Sequence, residues 1–545
     1  MSTFILNNLY RNGSLVHKMY RGEELIYKGV YEGNAISGIS INNLAWVTDV
    51  PVSGGTATSA NCSYTIISHK YNGTTGDVTT EATVNGLLLV PSTTAETRES
   101  VGTLNLTATY SGFTSSSSVT AYQEAYIDYP TQHLTFKIVS AGTIVWKCRG
   151  NIAKTISYLL NDGISWTEIT SASGDSAPSI DVSVGDTIMF KGINTQYASG
   201  TGAYNYFSAS SAFFNVYGNI MSLIDGDSFT ASTSSTTLSD TYTFCGLFGV
   251  SNVINASNLV LPATTLAQSC YYGMFSGCTS LTSAPTLLAT TMATSACTYM
   301  FRGCTGLTSA PTLPATTLAQ GCYSGMFGGC TELLSAPDLS SATTLASGCC
   351  FNMFSGCTSL TTAPAILPVT TLADRCYAYM FRGCSSLTTA PALPATACTI
   401  NCYQYMFSGC TSLTSAPALP ATVLNNYCYG DMFYKCIGLT NAPALPATTL
   451  AQNCYQRMFS NCTGLTSAPA LPATTLTNNC YQYMFSGCTS LSAITCLATD
   501  ISADGCTSNW VKGVAVRGTF TKASGVSWPS GSNGIPSGWT VQDAT

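Results

Sequence analysis

The sequence predicts a multidomain chain, all-β toward its N-terminus and α/β in its second half. Two observations predict this. Residues 240–512 are filled by a short repeat, and the residues before it read as brief strands separated by Gly and Asn turns. Within the repeat, a Met-Phe pair occurs nine times, starting at Met274, Met300, Met326, Met353, Met380, Met406, Met432, Met458 and Met484. The step is 26 residues, or 27 on two occasions. A fixed period of this length is the signature of a solenoid, in which each turn buries its apolar face on the next. The expected architecture is an N-terminal β element, two β-sandwich domains and a curved solenoid. Each solenoid repeat is expected to hold one short parallel strand and one short helix.

Composition narrows the class. Of 545 residues only 8% are charged and 45% are hydrophobic, so the chain can bury cores and is not of the disordered type. The net charge is −6 with no basic stripe, which argues against a nucleic-acid partner. The first residues, Met1-Ser-Thr-Phe-Ile-Leu, lack the basic and long apolar regions of a secretory signal. No apolar run is long enough for a membrane-spanning helix. Synthesis in a cytoplasm, without the usual secretory route, is therefore expected. The 25 cysteines are odd in number, and nearly all sit at fixed phases of the repeat. Such phases stack in columns, so the thiols read as small buried hydrophobes rather than a disulfide framework.

In chain order, residues 1–35 hold two related units, Tyr10-Arg-Asn-Gly-Ser-Leu-Val-His-Lys18 and Tyr20-Arg-Gly-Glu-Glu-Leu-Ile-Tyr-Lys28. Each reads as a turn at Gly followed by a short strand. They resemble N-terminal modules of fibre and other virion proteins of gut bacteriophages, which implies attachment or oligomerisation. Residues 36–127 read as one β-sandwich. Leu104, Leu106, Ala108 and Tyr110 alternate with polar residues, and Gly54-Gly55 and residues 71–74 mark turns. The runs 101–110 and 118–125 resemble bacterial Ig-like domains, which implies a spacer. Residues 128–235 read as a second sandwich, similar to jelly-roll or carbohydrate-binding-like modules, with a stem or spacer favoured over glycan binding. Strand pairs are expected at 135–147, turning at Ala141-Gly142, at 156–166, turning at Asn161-Asp-Gly163, and at 181–192. Residues 236–512 form the array, about eleven turns with caps. Leu247-Phe248 begins it and Trp510-Val511 ends it, and residues 513–545 close the C-terminal end.

One repeat can be read physically, counting from its Met as zero. Apolar residues recur at −8, −4, −3, 0, +1, +4 and +7, mostly the three-and-four spacing of a helical face. Position +3 is Gly in seven copies, and otherwise Lys435 or Asn461. Gly and Asn tolerate the left-handed conformation, so a helix from −8 to +2 stopping at +3 is expected. A very short strand is expected at +8 to +10, broken by Pro417 and its equivalents, because Pro cannot donate to a ladder. Strands stack more closely than helices, so the array should curve with strands on the inner side. The Met-Phe-x-x-Cys-x-x-Leu pattern at this step resembles BspA-like leucine-rich repeats. That resemblance covers about half the chain and implies adhesion to protein or glycan.

Positions that differ between turns are the candidates for contact with a partner. They are Tyr299, Tyr379, Tyr405, Asp431, Arg457 and Tyr483 at −1, and Arg302, Arg382 and Tyr434 just past Phe. Tyr and Arg are favoured at binding hot spots, although an ordinary amphipathic surface would have the same look. The hydroxyl column of Ser283, Ser309, Ser335, Thr362, Thr389 and Ser415 reads as a structural ladder. Only His17, His69 and His133 exist, all before the array, and no phosphate, dinucleotide or zinc motif is present. No catalytic, metal or cofactor residue is expected, and the chain reads as a non-enzyme. The expected role is a bacteriophage fibre or decoration protein, located in the virion. It would attach to other virion proteins through its N-terminal region and meet host-surface or gut glycan or protein through the array. A homo-oligomer is expected, with a trimer favoured over a dimer. The rival is a bacterial cell-surface adhesin.

Overall fold

In the computed structural model the chain divides into two compact units, residues 1–128 and 129–545. The structure describes residues 129–545 apart from 162, 230–235, 368–370 and 545. Of residues 1–128 it describes the backbone of the strands. Both short N-terminal units form antiparallel pairs, Leu9–Arg11 with Ser14–Val16 and Tyr20–Arg21 with Glu24–Ile26. The second pair forms one edge of a seven-stranded sheet, which is dominated by the long hairpin of Glu99–Tyr110 and Phe113–Gln123. The turn at 71–74 and the side chains of residues 104–110 lie outside the described residues, as does most of the turn at Gly54-Gly55.

Residues 129–260 hold two sheets facing each other. One has six strands and the other four, and Phe136 of the first meets Phe207 of the second at 4.8 Å between ring centroids. The strand pairing expected within 156–166 is present with its second strand further on, Thr155–Leu160 pairing with Thr167–Thr170. The other two expected strand pairs are corrected. Leu134–Ser140 and Gly142–Arg149 are consecutive strands but lie in different sheets, and so do Ser179–Val182 and Thr187–Lys191. Their turns carry the chain across the core instead of back along one sheet.

The last strand of the six, Val253–Val260, comes from the first repeat and runs parallel to Phe213–Asn219. The buried residues continue without a break from Leu134 to Trp539. Phe248 stacks at 5.0 Å on Phe275 and at 5.8 Å on Phe207. The first repeat is thus covered by the two-sheet region. At the other end Trp510 fills the Met-Phe position and stacks on Tyr481 and Trp528, with its indole N–H donating to Gly534 O at 2.9 Å. The parallel strands Ala493–Cys496, Thr519–Lys522 and Thr540–Asp543 finish the stack.

Within the array the expected helix is absent. Residues −6 to +3 form a ribbon of overlapping turns. In the Met406 repeat, alternate amides donate within the repeat to the third residue back: Gln404 to Asn401, Met406 to Tyr403, Ser408 to Tyr405. The amides between them donate to the next repeat: Tyr403 to Cys428, Tyr405 to Gly430, Phe407 to Met432, Gly409 to Tyr434, at 2.7–3.0 Å. Every fourth residue is left-handed: Asn401 (φ 56°), Tyr405 (φ 56°) and Gly409 (φ 77°). The same three positions, −5, −1 and +3, are left-handed in all nine repeats. Position +3 is therefore left-handed as expected, but it ends no helix. The apolar spacing that resembles a helical face has a period of four, set by this ribbon.

The opposite edge of each repeat is also laddered. Residues at +9 form single parallel bridges, such as Ser415 to Asn441 and Asn441 to Ser467, where the short strand was expected. A second parallel ladder joins Thr265–Leu266, Thr291–Met292, Thr317–Leu318 and Thr344–Leu345. Both edges are thus hydrogen-bonded from repeat to repeat. The spacing mismatch invoked for curvature does not arise, because no helix needs the wider spacing. Hydroxyl ladders form at +5 and −10: Thr411 Oγ1 donates to Ser385 O at 3.3 Å and Thr343 Oγ1 to Thr316 O at 3.2 Å.

Met, Phe, Leu and both cysteines of each repeat point inward and are buried. The Phe rings form one file, with centroids 5.5–5.8 Å apart from Phe275 to Phe485. The thiol at +4 donates to the Phe carbonyl of the preceding repeat, as Cys410 Sγ does to Phe381 O at 3.1 Å and Cys436 Sγ to Phe407 O at 3.0 Å. Every described cysteine is buried and unbridged. Burial pushes the Cys436 thiol up to about 12, so it stays protonated and able to donate.

Phe407→Ala removes one ring from the file between Phe381 and Phe433. It is expected to cost about 3–5 kcal/mol and to speed amide exchange first in the two flanking repeats. Thermal unfolding and hydrogen exchange read this. Exchange changes spread evenly over the array would contradict nearest-neighbour stacking.

Candidate functional site

The ribbon decides what faces outward. With a period of four, positions −4, −3, 0 and +1 turn in, whereas −2, −1, +2 and +3 turn out. Each amide at −1 is tied to the following repeat, so the residues at −1 form a column along one edge. A non-Gly residue held left-handed costs on the order of 1–3 kcal/mol. The ladder fixes that backbone whatever side chain it carries. Tyr299, Tyr379, Tyr405, Asp431, Arg457 and Tyr483 all stand there, with φ between 52° and 60°.

The structure brings most of the sequence-selected residues into one run. The Tyr379 and Tyr405 rings stack at 4.7 Å and 15°. Arg382 stands over Tyr379 at 5.7 Å, and Arg457 over Tyr483 at 5.4 Å. Between the Tyr405 and Arg457 positions lies Asp431. All four tyrosines are half-buried, and Arg302, Arg382 and Arg457 are exposed. Tyr299 and Arg302 pair at 5.1 Å but stand apart from this run, separated from it by Gly325 and Asn352 at −1. Tyr434 is half-buried and pairs instead with Lys435, at 5.3 Å.

Asp431 is a correction. Expected to face outward, it is only 3% exposed. Its neighbours along the column cover it. Arg457 Nη1 approaches Oδ1 at 4.0 Å, and Oδ1 takes no hydrogen bond. Burial pushes the carboxyl up to about 6, against the smaller downward pull of Arg457 and the Tyr405 hydroxyl. Burial, and then Asp431 itself, push the Tyr405 phenol up to about 12.

Position −2 also varies from turn to turn, but sequence reasoning singled out no residue there. Tyr272 meets Tyr299 edge to face at 5.6 Å, and Phe351 lies 5.3 Å from Tyr379. Sequence reasoning also missed Asn401 and Asn453 at −5, whose Oδ1 atoms are buried without partners. The enrichment of Ser, Gly and Asn at −5, together with Gly at +3, was the available signal of left-handed residues four apart. Among the described residues no group of three or more His, Cys, Asp or Glu could hold a metal ion, and no helix is long and apolar enough to cross a membrane. The column is a surface of rings, guanidinium groups and hydroxyls.

The Asp431 shift fixes the sign of a pH effect. Its folded pKa, about 6, lies above the ordinary 3.8. Between those values the unfolded chain loses the proton and the folded chain keeps it. Stability should therefore fall as pH rises from about 4 to about 6 and level off above, by at most about 3 kcal/mol. Asp431→Asn keeps a residue type that stands left-handed at Asn352 and Asn509. Thermal unfolding across this range should show the slope in the native chain relative to the Asn variant. Parallel pH profiles would refute the assignment.

The comparisons with known proteins bear on the repeats. The family described as BspA type leucine rich repeat region, in six copies, matches residues 204–334, 274–414, 327–466 and 426–506. These matches span more than half of the chain. No curated protein and no solved structure matches it. With the uniform repeat core and the family match in agreement, the chain belongs to the BspA-type leucine-rich-repeat family.

Proposed function

We propose that this chain is an adhesion protein that recognises surface material through the outward column of its repeat array. The observation that carries the reading is the contrast between the two faces of one ribbon. Inward positions repeat almost letter for letter, whereas −1 and +2 change from turn to turn and hold Tyr and Arg in contact pairs. Such residues are the usual anchors of protein and glycan interfaces. Repeats of the BspA type support an adhesion role.

The carrier we favour is a bacteriophage virion, with the chain as a fibre or decoration protein. The N-terminal units would dock it to other virion proteins. An Ig-like domain would act as spacer, and the array, as a solenoid, would be displayed to host or gut surfaces. A homotrimer suits a fibre. The bacterial cell-surface adhesin is the second reading, favoured by the family match itself. Mass spectrometry of purified particles separates the two: peptides of this chain in virions support the first, and recovery with bacterial envelopes in their absence overturns it.

The adhesion reading has its own test. Tyr379→Asn together with Tyr405→Asn replaces the stacked pair with the residue type found at Asn352. Binding to host cells should fall by about tenfold or more, as loss of a hot spot implies, with the melting temperature changed by only a few degrees. Unchanged binding by a folded double variant would exclude the column.

A further inference from the structure

The outward column has one opening. At −1 the first two turns carry Gly246 and Gly273, left-handed at φ 67° and 58°. Later turns carry Tyr, Asn, Asp or Arg in that place, except for Gly325, where a Cβ would run into the Tyr299 ring and the space is taken. A Cβ on Gly246 would lie 2.8 Å from the Tyr204 ring, so that ring occupies the space. A Cβ on Gly273 would meet nothing nearer than 3.6 Å. The space beside Gly273 is therefore free.

What lies there is a cavity of about 210 Å³ lined by Tyr204, Tyr272, Tyr299, Arg302, Thr201 and Ser276. Tyr204 comes from the two-sheet region and the other aromatic residues from the array. Tyr272 and Tyr299 stand edge to face, and the Arg302 guanidinium is 5.1 Å from the Tyr299 centroid. Arg302 is exposed and forms no ion pair among the described residues. No carboxylate lines the cavity, and a second guanidinium, that of Arg149, stands beside the Tyr204 hydroxyl.

From this geometry we infer that the cavity is a binding site for one carboxylated pyranose, the terminal residue of an acidic glycan. The inference rests on the adhesion reading and names the ligand class for one end of its column. The size admits a single ring. The tyrosine rings offer apolar faces to the C–H face of a sugar, with phenol and hydroxyl groups at the rim. Arg302 supplies a fork of donors matched to a carboxylate. A bare phosphate or sulfate would leave the ring faces uncovered, and a neutral sugar would leave the guanidinium unpaired.

The test uses the full chain and ligand-observed saturation-transfer NMR with glucuronate, N-acetylneuraminate and glucose. Two variants accompany it. Arg302→Gln removes an exposed charge, and Gly273→Asn fills the opening with a residue type that already stands left-handed at the same phase in Asn352. At least one acidic sugar should show saturation, and glucose should bind at least about tenfold more weakly. Each variant should lose about tenfold or more in affinity while its melting curve stays that of the native chain. Four outcomes would overturn the inference: no saturation with either acidic sugar, equal binding of glucose, native affinity in both variants, or a glutamate-rich peptide competing as well as the sugar. The parent reading fails separately. A chain that adheres to cells but ignores these sugars sinks only this inference. A chain that binds the sugars but not cells sinks the adhesion reading.

Discussion

The structure of the array depends on how each repeat divides its backbone amides. Half of those in the ribbon close turns within the repeat, and half reach the next repeat at 2.7–3.0 Å in the Met406 turn. A helix would satisfy the amides beyond its first turn internally and leave neighbouring turns joined only by side chains. Here the turns are stitched along the ribbon and again at +9 on the far edge. Buried amides must find partners, and in this array they find them by stacking. A single repeat cut from the array would lose half of its ribbon partners, which gives cooperativity between neighbours a backbone origin as well as a packing one.

Alternation also accounts for the side chains. The turns can overlap only if every fourth residue is left-handed. Successive outward pairs then fall at −2, −1 and at +2, +3, and the inward pairs are Cys-Tyr and Met-Phe. Stacked files follow for each inward letter. The thiol at +4 takes part because the Phe carbonyl of the turn before has a lone pair within reach, as for Cys410 and Phe381. The cysteines are thus hydrogen-bonding members of the core, small enough for the file and held as thiols by burial.

Much of this was legible from the sequence, and the rest failed for identifiable reasons. The period, the inward set of Cys, Tyr, Met, Phe and Leu, the left-handed +3 position and the single bridge before Pro417 could all be read. The helix could not be excluded, because a period of four over a dozen residues is hard to tell from 3.6 by apolar spacing alone. What distinguishes them is the left-handed residue at −1, and there six of the nine turns carry Tyr, Asp or Arg in place of Gly or Asn. Propensity gave no warning because the ladder overrides it. The corners at Ala141-Gly142 and within 181–192 were read as hairpins since local turn chemistry does not say which sheet the next strand joins. Asp431 was placed outside by phase, correctly for its backbone. Its burial is a property of the neighbours that cover it, which no single-repeat reading contains.

The outward column therefore has two kinds of member. Tyr379 and Tyr405 cover each other and Tyr405 helps cover Asp431, so that stretch is a surface already packed on itself. At the first turns the glycines remove the covering side chain, and the two-sheet region contributes Tyr204 to the gap. That gap requires the array to be fused to the sheets. The strand Val253–Val260 pairs with Phe213–Asn219, and Phe248 packs between Phe207 and Phe275. These contacts hold Tyr204 against Gly246. A free array, detached from the sheets, would keep Tyr272, Tyr299 and Arg302 but lose one wall of the cavity. The place where the chain changes architecture is thus also the place where its outward face is concave, and concavity is what a surface of rings needs to hold a small ligand.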